Sequence, residues 1–69
     1  MTRREELNLE IRNQAIRLAP KCIAYFELPS MVYNQIMTID NVTRKKPFRV
    51  SQKYIQAIIH EMIENNELA

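Results

Sequence analysis

Glycine is absent from this 69-residue chain, and its absence excludes several kinds of site. Phosphate-cradling loops, dinucleotide-binding turns and nucleophile elbows need glycine where the backbone meets a ligand or takes a positive φ angle. We therefore expect none of these sites in its usual form.

Cysteine occurs only once, at Cys22, so an internal disulfide is excluded. The chain also lacks a cluster of cysteine and histidine residues of the kind that binds zinc, and we expect no metal site and no cofactor. A chain this short must then be held together by packing, with or without help from oligomerisation. Cys22 lies in an apolar segment, which predicts a buried, inert thiol.

Long apolar runs are missing as well. No uninterrupted apolar stretch could span a bilayer, and the first residues lack the apolar core of a signal peptide. We therefore expect no membrane association, and the lone cysteine suits a reducing cytoplasm. Hydrophobic residues still make up 46% of the chain, which is enough for a core and argues against disorder. We expect residues 1–69 to form a single helical domain.

The net charge is only +2, but the charges are unevenly placed along the chain. Residues 41–53 contain no acid and five basic side chains, which are Arg44, Lys45, Lys46, Arg49 and Lys53. Residues 54–69 contain no lysine or arginine and three acids, which are Glu61, Glu64 and Glu67. Positive charge is thus concentrated in one segment and negative charge at the tail.

Cap residues and apolar spacing predict an all-α, helix-turn-helix-like fold of three or four short helices around one core. Thr2-Arg3-Arg4-Glu5 is a capping box that starts the first helix, and Pro20 ends it. Ser30 and Ser51 are good N-caps for two later helices. The predicted elements are helices at 3–18, 21–27, 30–39 and 52–65, a basic loop at 43–49 and at most a minimal strand near 48–50. The predicted core consists of Ile11, Leu18, Phe26, Ile36, Ile55, Ile58 and Met62.

The first predicted helix carries two apolar stripes, whereas a surface helix normally needs one. Leu9 and Ile16 lie on the face opposite the main stripe, which consists of Leu7, Ile11, Ala15 and Leu18. Either the rest of the chain wraps this helix, or Leu9 and Ile16, flanked by Arg12, contact a partner. That partner is a second copy of the chain, forming a homodimer, or a larger protein.

The last predicted helix has a polar face beside its apolar one. Its first half presents Gln52, Lys53 and Gln56, and these residue types hydrogen-bond the edges of adenine and guanine. The basic loop just upstream can neutralise phosphates. The sequence therefore predicts base contacts from these three residues and phosphate contacts from Arg44, Lys45, Lys46 and Arg49.

The run from Phe48 to Leu68 resembles the recognition-helix region of helix-turn-helix and winged-helix proteins. It has an apolar-then-serine entry, regular aliphatic spacing, and an asparagine where a glycine often precedes the closing apolar residue. The resemblance covers residues 28–68 and implies transcription regulation by sequence-specific DNA binding. One departure is the connection from Asp40 to Val50, which is longer than the usual tight turn.

Enzymatic activity is not expected. His60 is the only histidine, and Glu61 beside it points elsewhere on a helix, so no catalytic triad is visible. The sequence predicts a small nucleic-acid-binding regulatory protein with DNA as its partner. The alternative is a small adaptor or inhibitor that docks on another protein through the first helix and the basic loop.

Overall fold

The computed structural model describes residues 2–68, and its first helix begins where the capping box predicts. Helix α1 covers Arg3–Leu18. The hydroxyl of Thr2 accepts a hydrogen bond from the backbone N–H of Glu5 at 3.2 Å, which satisfies one donor of the first turn. Pro20 follows in a 3₁₀ turn, Ala19–Lys21, where its missing N–H is not needed.

The segment predicted as a second helix, residues 21–27, is not an α-helix, so this prediction is wrong. A second 3₁₀ turn, Tyr25–Glu27, follows the first, and the backbone between the two turns is extended at Cys22 and Ala24. A segment this short, with no side-chain cap on either turn, gains too few successive hydrogen bonds to offset helix nucleation. The thiol of Cys22 is half-buried rather than buried, and it donates to the carbonyl of Ala19 at 3.1 Å.

The middle helix is longer than predicted at both ends. It starts with α2, Leu28–Asn34, continues through a π-helical stretch, Gln35–Asp40, and ends with a short turn, α3, Asn41–Thr43. Pro29 occupies the first turn of α2, where a proline is tolerated, so the helix begins before Ser30 rather than after it.

The sequence predicts that this helix ends near residue 39, but Asp40 and Asn41 continue it. The carboxylate of Asp40 accepts hydrogen bonds from two glutamine amides, one on α1 and one on the middle helix, each at 3.1 Å. The side chain of Asn41 donates to the carbonyl of Phe48 at 2.8 Å and accepts from its N–H at 3.0 Å. Because both polar side chains have tertiary partners, they do not end the helix, and Asn41 fixes the following loop, residues 44–51, to it.

Helix α4 covers Gln52–Glu64 and begins at the N-cap that the sequence indicates. The hydroxyl of Ser51 accepts from the backbone N–H of Tyr54 at 3.1 Å. At the other end Asn66 takes a φ angle of 58°, and backbone hydrogen bonds close the helix in a Schellman motif.

Helices α1, α2 and α4 pack around one core, and residues 2–68 contain no strand, so the predicted all-α fold is confirmed. Ile58 is only half-buried, and Phe26 is 82% exposed, so the prediction of Phe26 as a core residue is wrong. Phe26 lies in a 3₁₀ turn instead of on a helix, and Phe48 from the loop enters the core, with 4% of its surface exposed. The predicted core residues that are buried are Ile11, Leu18, Ile36, Ile55 and Met62. Within residues 2–68, every helix is too short or too polar to cross a membrane.

Candidate nucleic-acid interface

An open groove of about 520 Å³ lies between the start of α1 and the loop that precedes α4. Arg3 and Arg4 line it from α1, and Arg49 lines it from the loop. Among the residues that the structure describes, no carboxylate lines this groove. Positive charge inside it is therefore not neutralised by a neighbour in the groove, and such a surface attracts anions.

Arg3 connects α1 to the loop. Its guanidinium lies 3.9 Å from the centroid of the Phe48 ring and donates a hydrogen bond to the backbone carbonyl of Lys46. It also forms an ion pair with Glu6 at 3.3 Å. Arg3 and Arg4 are not recognisable as site residues in the sequence, because a capping box accounts for this segment without any ligand. The only available signal was the pair of consecutive arginines itself.

Arg44, predicted as a phosphate contact, forms an ion pair with an acidic residue of the protein itself. Its guanidinium lies 3.3 Å from the carboxylate of Glu10, and its side chain is 28% exposed. It also lies 4.7 Å from the centroid of the Phe48 ring. It lines a separate polar groove with Glu10 and Asp40, so the structure does not bring it to the arginine groove.

The other three predicted phosphate contacts, Lys45, Lys46 and Arg49, are exposed. Within residues 2–68, none of the three forms an ion pair. The backbone of Lys46 accepts the hydrogen bond from Arg3, which places this part of the loop beside α1, and Arg49 lines the groove together with Arg3 and Arg4. We define the basic surface as Arg3, Arg4, Lys45, Lys46 and Arg49.

The predicted base contacts at the start of α4 have different surroundings. Gln52 uses its side-chain amide to donate to the hydroxyl of Ser30 at 2.5 Å, across to α2. Gln56 lies on the same side of α4 as Gln52 and is exposed. Lys53 lies one residue further around the helix than Gln52 and is also exposed. Lys53 and Gln56 are therefore available to a ligand, and Gln52 is held by a neighbour.

The three residues of the predicted partner interface on α1 also differ in their surroundings. Leu9 and Ile16 are 49% and 53% exposed, so the rest of the described chain does not wrap this stripe. Arg12 between them is 2.6 Å from the carboxylate of Glu67 and 3.3 Å from that of Glu61. The hydrogen bond that Arg12 donates to Glu67 raises the pKa of Arg12 above its ordinary value, and the charges of both acids raise it further. Arg12 therefore fixes the acidic tail against α1.

A second apolar surface lies near the C-terminal end of α4, and the sequence alone did not indicate it. We define the apolar patch as Ile23, Tyr25, Phe26 and Ile63, which are 96%, 43%, 82% and 36% exposed. Tyr25, Phe26 and Ile63 line a shallow cleft of about 180 Å³. The hydroxyl of Tyr25 donates to the carbonyl of Leu68 at 2.9 Å, which fixes the second 3₁₀ turn to the end of the chain.

His60 lies at the edge of that cleft and pairs with Glu64 at 3.0 Å, one helical turn further along α4. Both side chains are largely exposed. Residues 2–68 contain no group of three or more histidine, cysteine or acidic residues placed to hold a metal ion.

Comparison of the chain with protein-family models, with curated proteins and with solved structures finds no match. The helix-turn-helix resemblance therefore depends on the residues of this chain alone and stays a prediction.

Proposed function

We propose that this protein binds nucleic acid by contacting the phosphate backbone with its basic surface. The observation that carries the proposal is the meeting of Arg3 and Arg4 of α1 with Arg49 of the loop around one groove, where no carboxylate is present among the described lining residues. Duplex DNA carries one negative charge per about 1.7 Å of its axis, so a cluster of cations can neutralise several phosphates at once and release their counterions.

The surroundings of the individual cations support this choice of residues. Arg44 is left out of the proposed contact set because it lies outside the arginine groove and only 28% of its side chain is exposed, whereas Arg3, which is also ion-paired, lines the groove. Lys45 and Lys46 are exposed on the loop, which Asn41 and Arg3 fix to the helices on either side. A loop held in this way loses little conformational freedom on binding, and this favours affinity.

Base contacts are assigned to Lys53 and Gln56 at the start of α4. Both side chains are exposed, whereas the amide of Gln52 is bonded to Ser30. This assignment follows the helix-turn-helix resemblance, in which the first half of the last helix enters the major groove. It makes duplex DNA the proposed partner and transcription regulation the proposed role.

The alternative, an adaptor that docks on another protein through α1 and the basic loop, has one observation in its favour. Leu9 and Ile16 are about half exposed, as a docking stripe requires. Arg12, the cation expected to strengthen that contact, is already paired with Glu61 and Glu67. Nucleic-acid binding is therefore the function that the geometry supports best.

The test compares two variants that lose the same amount of charge at different places. In the groove variant Arg4 and Arg49 become glutamine, and in the control variant Arg17 and Lys21, which are exposed outside the groove, become glutamine. Fluorescence anisotropy with a labelled duplex of about 20 base pairs at low salt should show roughly tenfold weaker binding for the groove variant and little change for the control. Absence of binding by the folded wild-type protein, or equal losses in both variants, would contradict the proposal.

A further inference from the structure

We propose that the apolar patch is the contact surface between two copies of this chain. Ile23 and Phe26 are almost fully exposed, and Tyr25 and Ile63 are exposed in part. From these fractions the four side chains present roughly 500 Å² to solvent, at the upper end of what a soluble monomer leaves uncovered. A patch of this size is a candidate contact surface.

The shape of the patch favours a second copy as its occupant. The cleft of about 180 Å³ is lined by Phe26 and Ile63, among other residues, and Ile23, which is 96% exposed, lies three residues before Phe26 in the sequence. Because a two-fold interface uses the same surface on both subunits, it requires a projection and a cleft within one patch. In such a pair, Ile23 of each copy enters the cleft of the other.

The charges around the patch also favour a second copy over a different protein. Lys21 lies next to the segment that carries Ile23, and Glu64 lies next to Ile63. Both are exposed. A border of one sign would indicate a partner of opposite charge, whereas a border with both signs is complementary to itself under two-fold symmetry.

The area is close to what a small dimer needs. Standard interfaces bury about 800 Å² on each partner, of which the apolar patch supplies roughly 500 Å² and the charged border can supply the rest. Because the apolar patch alone is smaller than a standard interface, we expect a reversible dimer that dissociates on dilution.

The position of the patch keeps the basic surface free. Ser51 lines the arginine groove at one end of α4 and Ile63 belongs to the patch at the other, about 18 Å apart at the helical rise. A dimer formed through the patch would therefore leave the five cations of both basic surfaces uncovered, whereas Gln56, which lines the cleft, would be covered and contacts a base only in the monomer. The dimer goes beyond the proposed function and stands if DNA binding fails.

Sedimentation velocity from about 10 to about 500 µM protein tests the dimer, because an interface of this size should associate in that range. The wild-type chain should shift from monomer to dimer as its concentration rises. Changing Ile23 and Phe26 to serine should weaken association at least tenfold with an unchanged far-UV circular dichroism spectrum. The matched control changes Leu9 and Ile16, the exposed stripe on α1, to serine and should dimerise as the wild type does.

A single Phe26→Glu variant gives an independent check, because it places like charges across the proposed two-fold contact. It should be monomeric throughout the concentration range. A wild-type chain that stays monomeric at every concentration would overturn the proposal. So would a dimer that survives both patch variants, or one that only the Leu9 and Ile16 variant disrupts.

Discussion

Near each end of α4 lies a phenylalanine from a short segment between helices, and the surroundings of the two rings differ sharply. At the start of α4, Phe48 is 4% exposed, with the guanidiniums of Arg3 and Arg44 over its ring. At the other end, Phe26 is 82% exposed. Arginines that stack on an aromatic ring cover its apolar surface, whereas an uncovered ring offers that apolar area to a partner.

This comparison separates two kinds of surface. The basic end depends on contacts between residues far apart in sequence, such as Arg3 with Lys46. The apolar end also depends on a long-range contact, the hydrogen bond from the Tyr25 hydroxyl to the Leu68 carbonyl, but it exposes apolar side chains instead of cations. We therefore assign charge-driven binding to the first end and self-association to the second.

The largest expected effect is on folding stability, and it compares the two phenylalanines directly. Phe48→Ala should lower the free energy of unfolding by about 3–5 kcal/mol, because it empties a core position and removes the surface on which two arginines stack. Phe26→Ala should change it by less than about 0.5 kcal/mol. Urea unfolding followed by circular dichroism, at a concentration low enough to keep the chain monomeric, measures both. Similar losses of unfolding free energy in the two variants would contradict the contrast between a buried Phe48 and an exposed Phe26.

A smaller effect separates the two consecutive arginines of α1. Arg3→Gln should cost about 1 kcal/mol of stability, since it loses the ring contact and the bond to the Lys46 carbonyl. Arg4→Gln should leave stability unchanged. Both should weaken DNA binding, because both arginines line the groove. Paired unfolding and DNA titrations check this, and an Arg4 variant that binds DNA as well as the wild type would remove Arg4 from the basic surface.

The smallest effect concerns the acidic tail. Arg12 and Glu67 form a partly exposed pair, so a double-mutant cycle with Arg12→Gln and Glu67→Gln should give a coupling below about 1 kcal/mol that falls as salt is added. The pKa of Arg12 is raised in the folded protein, chiefly by its hydrogen bond to Glu67. A base with a raised pKa keeps its stabilising effect below its ordinary pKa and loses it only as the pH rises through the raised value. Arg12 therefore stays charged near neutral pH, and its contribution to stability should not change with pH in that range.

The bounds of α1 and α4 were the most predictable part of the fold, whereas both ends of the middle helix were predicted wrongly. Thr2 and Ser51 cap α1 and α4 as their sequence context indicates, because capping depends on residues only three positions apart. The region of Phe26 could not be predicted in this way. Its segment is too short for a periodic pattern, and whether it becomes an α-helix or a 3₁₀ turn depends on what packs against it.

The candidate site was predictable only in part. The run of loop cations is visible in the sequence, and Lys45, Lys46 and Arg49 are exposed as that run suggests. The pairing of Arg44 with Glu10 joins residues 34 positions apart, and no local pattern indicates it. The approach of Arg3 to the loop is equally non-local, so the groove itself could be found only from the fold.

The central claim is that several cations of the basic surface contact phosphates together, and the salt dependence of DNA affinity tests it most directly. If the five cations each contact one phosphate, a plot of log K against log salt for duplex DNA should have a slope of about −4 to −5. Replacing Arg4 and Arg49 with glutamine should reduce the magnitude of that slope by about 2, while the Arg17 and Lys21 control keeps the wild-type slope. Equal slopes for the groove variant and the wild type would contradict the account.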